Sequence, residues 1–187
     1  IPGAFVMALT RSILRASALT SRSPSEVLKS TNAALLADIK KGMFVSMFYG
    51  LLDGPSAKLE FGSAGHNPTL VYRASTGEVD SIRCHGLALG LGKSSVFERT
   101  IETKEIILHP GDICFQYTDG IQHAMNGMQE RFGMDRLTAR LREFSGVPAQ
   151  TLVTEILSRV EAFCGGQPQF DDITMVAVKR ESSAKGA

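Results

Sequence analysis

The sequence predicts an α+β layered domain built on antiparallel sheets. Three observations predict it. Two helical segments open the chain, a series of β-prone runs divided by tight turns fills its middle, and further helical segments with a last strand close it. At 187 residues without an internal repeat or linker, positions 1–187 read as a single domain.

Residues 4–19 carry Phe5, Leu9, Ile13 and Ala16 at helical spacing, with no charge before Arg11 and a proline, Pro2, suited to a helix start. A second helix is expected after Ser23, with Pro24 at its first position and Glu26 three residues past the cap, as in a capping box. Lys40-Lys41-Gly42 should end it, placing positive charge against the helix C-terminus and glycine beyond. The pattern then turns to strands. Residues 43–52 are almost unbroken apolar sequence, stopped by Asp53-Gly54-Pro55, and residues 58–64 follow as the hairpin partner. Residues 69–73 and 78–82 flank a turn at Ser75-Thr76-Gly77, and residues 96–101 and 105–108 alternate as strands do. After the turn His109-Pro110-Gly111-Asp112, residues 113–117 read as a buried strand. A short helix is expected at 121–126, another from Gly133 to about 144, and a third from Pro148 to about 163, closed by Gly165-Gly166. Residues 173–178 form the last strand, and the polar tail from Glu181 should fray.

Composition excludes several functions. Apolar residues make up 43%, enough for a core. The 20 basic and 19 acidic residues are well mixed, which leaves no electrostatic footprint for nucleic acid or an anionic membrane. No apolar run approaches the roughly 20 residues that span a bilayer, so no membrane insertion is expected. Cys84, Cys114 and Cys164 are widely spaced, with no CxxC pair or zinc spacing, which fits a reducing, cytoplasmic setting. The chain opens at Ile1-Pro2-Gly3 without an initiator Met or signal peptide, and reads as a fragment.

Two acidic segments carry the chemistry. Asp119-Gly120 ends one β-prone run, and Asp171-Asp172 precedes another. A carboxylate at a strand end can be held rigidly where oxygen ligands converge on a hard cation. Alone, Asp-Gly is a common hairpin turn and Asp-Asp a common solvated loop. Two adjacent carboxylates repel each other unless a cation or hydrogen bonds compensate, which makes a metal one reading. His66, in Gly65-His66-Asn67-Pro68, reads as a turn residue near the site, and His85, His109 and His123 form no metal pair. Gly92-Lys93-Ser94 invites a phosphate-loop reading. The position five before Gly92 is Leu87, not glycine, and the segment after Ser95 reads as a strand, so that reading is rejected.

Taken in order, seven segments resemble the later part of a PP2C-like serine/threonine phosphatase of the SpoIIE/RsbU branch. They are Met43-Phe44-Val45-Ser46-Met47-Phe48-Tyr49-Gly50, Ser63-Ala64-Gly65-His66-Asn67-Pro68, Leu87-Ala88-Leu89-Gly90-Leu91, Leu108-His109-Pro110-Gly111-Asp112, Tyr117-Thr118-Asp119-Gly120-Ile121, Arg131-Phe132-Gly133 and Asp171-Asp172-Ile173-Thr174. The resemblance implies two stacked antiparallel sheets flanked by helices, an α-β-β-α sandwich. It implies hydrolysis of phosphoserine or phosphothreonine on a protein, with two Mn²⁺ or Mg²⁺ ions. Asp119 and Asp171 would be metal ligands, Asp172 an adjacent support or weaker ligand, and Gly120 metal-adjacent backbone. No catalytic side chain beyond the ligands is implied. The family places another ligand in an Asp-x-x-Gly-x-Gly segment before the helix resembling residues 4–19. Nothing acidic precedes Glu26 here, so that ligand is expected upstream of Ile1 and the domain to be N-terminally incomplete. His123 also departs from the pattern, standing where relatives more often carry an acidic residue. The substrate implied is a phosphorylated anti-sigma-factor antagonist or similar regulator. A non-catalytic, partner-binding module is the alternative, and residues 4–40 could serve a homodimer.

Overall fold

The computed structural model describes residues 2–181 and divides them into two compact units. The polar tail beyond Glu181 lies outside the described residues.

The first unit runs to His66 and resumes over residues 84–107. It opens with α1 (Pro2–Thr20) and α2 (Pro24–Asp38). Ser23 sits at the N-cap of α2, yet its side chain makes no cap bond. Its hydroxyl meets that of Ser25, and Glu26 turns outward to pair with Lys29 at 2.8 Å, so the expected capping box does not form. The helix stops at Asp38, before the predicted Lys-Lys-Gly end. Strands β1 (Met47–Asp53) and β2 (Lys58–Ala64) form the predicted hairpin. Strand β1 starts later than the apolar run, because Val45 instead bridges Leu89 through two backbone bonds of 2.9 Å. The segment expected to be a strand at 96–101 is a helix, α3 (Ser94–Thr100). Phe97 within it and Ile101 at its C-cap, four apart, are buried, and a run this short satisfies both periods. The phosphate-loop reading loses its strand argument here and remains excluded by Leu87. Strand β5 (Lys104–Ile107) completes a three-stranded antiparallel sheet in the order β1-β2-β5, once β3 and β4 of the second unit are counted. Leu28, Leu35, Ala64, Leu89 and Phe97 form the buried core.

The second unit comprises residues 67–83 and 108 onward. Strands β3 (Thr69–Arg73), β4 (Glu78–Ile82), β6 (Ile113–Tyr117) and β7 (Met175–Lys179) make a four-stranded antiparallel sheet in the order β4-β3-β6-β7. Helices α4 (Gly120–His123), α5 (Gly133–Glu143) and α6 (Ala149–Cys164) belong to the same unit. All five residues of β6 are buried, as an apolar central strand should be. Its Cys114 thiol is pushed up to about 12 by burial. The core joins Phe115, Tyr117 and Ile121 to Leu137, Leu141, Leu152 and Ile156 of α5 and α6. Gly165, in the left-handed region at φ 60°, ends α6 as predicted. Two antiparallel sheets accompanied by helices match the predicted class. Among the described residues, no helix is long and apolar enough to cross a membrane.

Candidate functional site

The site residues lie in the second unit, at one end of the β6–β7 pair. Tyr117 is opposite Met175, so the chain leaving β6 lies beside the chain entering β7. Thr118 fastens the two. Its amide donates to the Thr174 carbonyl at 3.0 Å, its hydroxyl accepts from the Thr174 amide at 2.8 Å, and the same hydroxyl donates to the Asp172 carbonyl at 2.9 Å.

Asp119 follows as the N-cap residue of α4, with its carbonyl accepting from the His123 amide at 2.9 Å. Its side chain makes no cap bond, and the residue is exposed. Gly120 is buried against the other acidic segment. A Cβ there would stand 2.5 Å from the Asp172 carbonyl oxygen and 3.0 Å from that of Asp171, so the approach requires glycine. Asp171 takes the Asp172 amide on Oδ1 at 2.8 Å, and its carbonyl accepts from Gln169 Nε2 at 2.8 Å. Asp171 and Asp172 are exposed.

The backbones of Asp119, Gly120, Asp171 and Asp172 are thus brought together by one strand pairing. None of the three aspartates makes an ion pair among the described residues. Exposed, unpaired carboxylates on a fastened backbone have the donor chemistry a hard divalent cation takes. They do not complete a ligand set: among the described residues no group of three or more His, Cys, Asp or Glu side chains is placed to hold a metal ion. The residues present fit part of such a site.

Supporting polar groups run back along β6. Thr69 donates to Gln116 Oε1 at 2.9 Å, Gln116 Nε2 donates to the Asn67 carbonyl at 3.1 Å, and Asn67 Nδ2 reaches the Tyr117 carbonyl at 3.3 Å. At the opposite end, buried Asp112 accepts from the Ala74 amide and Arg73 Nη1, each at 2.9 Å, and from the His109 amide at 3.1 Å. Burial pushes its carboxyl up, but the bonds from Ala74, Arg73 and His109 outweigh this and hold it below the usual value. His66 belongs to the first unit, where its amide donates to Ser63 Oγ at 3.3 Å. Sequence reasoning passed over Thr118 and Thr174. Their signal was a threonine beside each acidic segment.

The chain as a whole is similar to known proteins. The chain is 34% identical over 139 residues to protein IcfG of Synechocystis, covering 74% of this chain and 21% of that one. It is 25% identical over 183 residues to phosphoserine phosphatase RsbU of Bacillus subtilis, covering 97% of this chain and 52% of that one. It therefore spans about half of RsbU and about a fifth of IcfG. Among solved structures, the PP2C domain of SiaA from Pseudomonas aeruginosa superposes with a TM-score of 0.77 at 24% identity, over 96% of this chain and 70% of that one, which gives the chain a PP2C-type fold. The family model for stage II sporulation protein E matches residues 1–181, and the chain belongs to the SpoIIE family.

Proposed function

We propose that this chain is the substrate-hydrolysing part of a bacterial signalling phosphatase that removes phosphate from serine or threonine of a protein. The observation that carries the reading is the fastening of two acidic segments by Thr118 and Gly120. Such rigidity is what converging metal ligands require. The similarity to RsbU, a phosphoserine phosphatase, supports the reaction class.

On this reading Asp119 and Asp171 hold Mn²⁺ or Mg²⁺, and Asp172 supports Asp171. A bound pair of such ions would supply an activated water and offset charge on the phosphoryl oxygens. The chain's own residues keep the carboxylates in place: Thr118 holds the 172–174 segment, and Gly120 lets that segment approach. The remaining ligand comes from outside the described residues. The substrate is a phosphorylated anti-sigma-factor antagonist or similar regulator, met in the cytoplasm, and the protein works as a monomer or homodimer. The test is Mn²⁺-dependent hydrolysis by the full-length protein. Asp119→Asn and Asp171→Asn should each lose more than the roughly 10–100-fold that changes outside the ligand set cost. Unchanged rates in both variants would remove the site assignment.

A second reading has one observation in its favour. The described residues supply no three-donor group, as expected of a partner-binding module without catalysis. Absence of hydrolysis and of Mn²⁺ binding in the full-length protein would select it.

A further inference from the structure

A cavity of about 270 Å³ opens beside the acidic segments, wholly within the second unit. Its lining includes Ala124, Leu157, Val160 and Ile173, and it shares Gly120 and Ile173 with the segments that carry Asp119 and Asp172. The volume falls just under the roughly 300–1,000 Å³ of small-molecule sites, so it suits one or two side chains better than a whole cofactor.

Its mouth has a definite character. Phe170 lines it while 79% exposed, an uncommon position for an aromatic ring with nothing to cover it. Glu161 also lines it, is exposed, and makes no ion pair among the described residues. No Lys or Arg is in the lining, and Asp171 follows Phe170 directly. The rim is therefore apolar and anionic, and an occupant that complements it is apolar and cationic.

We propose that this cavity is a specificity pocket of the phosphatase site. It takes one apolar side chain, of leucine size, from the segment of the phosphoprotein that carries the phosphoserine, with a basic neighbour set against Glu161. The inference rests on the phosphatase reading above. Because Gly120 belongs to both the pocket wall and the acidic site, the apolar residue falls within about three positions of the phosphoserine, at about 3.3–3.6 Å per extended residue.

The test separates this pocket from the reaction. Dephosphorylated serine peptides cannot turn over, so their binding to the full-length protein reads the pocket alone, by fluorescence anisotropy with Mn²⁺ present. The panel carries one leucine at each of three positions on either side of the serine, with lysine or glutamate next to it, beside an asparagine control. One Leu-Lys register should bind about tenfold or more tighter than its Asn counterpart, the scale on which hydrophobic pockets discriminate. Leu157→Trp, which fills the cavity, should reduce that preference to below about threefold. Phe170→Ser, a surface change that spares folding, should also weaken it. Glu161→Lys should reverse the preference for lysine over glutamate by about two- to fivefold. Equal binding across all registers, or a leucine preference that survives both Leu157→Trp and Phe170→Ser, would overturn the proposal. Hydrolysis of p-nitrophenyl phosphate, measured separately, reports the phosphatase reading, so either idea can fail without the other.

Discussion

The Thr118 hydroxyl is 2.9 Å from the Asp172 carbonyl oxygen and 2.8 Å from the Thr174 amide nitrogen, donating to the first and accepting from the second. One side chain thus fastens the segment from Asp172 to Thr174, directly after Asp171. The β6–β7 ladder ends at Tyr117 and Met175, so beyond it Thr118 continues the pairing with its hydroxyl as well as its backbone.

Thr118→Val keeps the shape and removes the hydroxyl, leaving the Thr174 amide without that partner. It should cost about 1 kcal/mol of stability, since the site is partly open to water. Its effect on Mn²⁺ affinity should be larger, about 10–100-fold, as expected when a support for ligands is lost. Thr118→Ser should restore most of both. Urea unfolding and calorimetric Mn²⁺ titration of the three proteins check this. A stability loss with unchanged metal affinity would make Thr118 only a strand-end bond.

The two acidic segments could be singled out in the sequence because each adjoins a β-prone run, Asp119-Gly120 after one and Asp171-Asp172 before another. What joins them was not. The bonds of Thr118 span more than 50 positions, and they exist only once Tyr117 is set opposite Met175. Register of this kind is fixed by tertiary packing of β6 and β7, which no local pattern encodes. The strand series was read well where turns bounded it, as with Ser75-Thr76-Gly77 between β3 and β4. It failed at α3, where Phe97 and Ile101 satisfy strand alternation and helical spacing alike. The pocket could not be foreseen either, since its lining is drawn from α4, α6 and the loop between α6 and β7.

Asp171 and Asp172 should not be equivalent. Asp171 Oδ1 already accepts the Asp172 amide, which fixes the Asp171 carboxylate in one orientation. The structure gives Asp172 no matching side-chain bond. On the proposed metal-site reading, Asp171→Asn should therefore weaken Mn²⁺ binding more than Asp172→Asn, because a pre-oriented carboxylate loses less freedom on binding. Parallel calorimetric titrations decide it, and equal losses would make both residues ligands of the same rank.

Gly120→Ala tests the closeness of the two acidic segments. The glycine does not have positive φ, so the penalty is contact rather than backbone conformation. The new methyl would lie 2.5 Å from a backbone oxygen, which cannot rotate away as a flexible side chain would. The expected result is a loss of about 1–3 kcal/mol, the scale of overpacking, with the 171–174 segment displaced. Hydrogen exchange at the Thr174 amide should speed up with it. Wild-type exchange and stability in Gly120→Ala would mean that the segments separate freely.

Asp112 predicts how stability depends on pH. It is 1% exposed and accepts from Ala74, Arg73 and His109, and its carboxyl is held below the usual 3.8. A carboxylate with a lowered folded-state pKa adds stability that is fully present above the unfolded value and is lost as pH falls through the folded one. At neutral pH, Asp112→Asn should cost about 2–3 kcal/mol, because a charge-accepting centre for three donors becomes a neutral amide in a buried position. The gap between wild type and variant should stay level from pH 7 down to about 4 and narrow below it. Urea midpoints measured from pH 7 to pH 2 give the curve. A gap that stays constant to pH 2 would mean that Asp112 acts through shape alone. A gap that narrows already near pH 6 would assign the effect to another group.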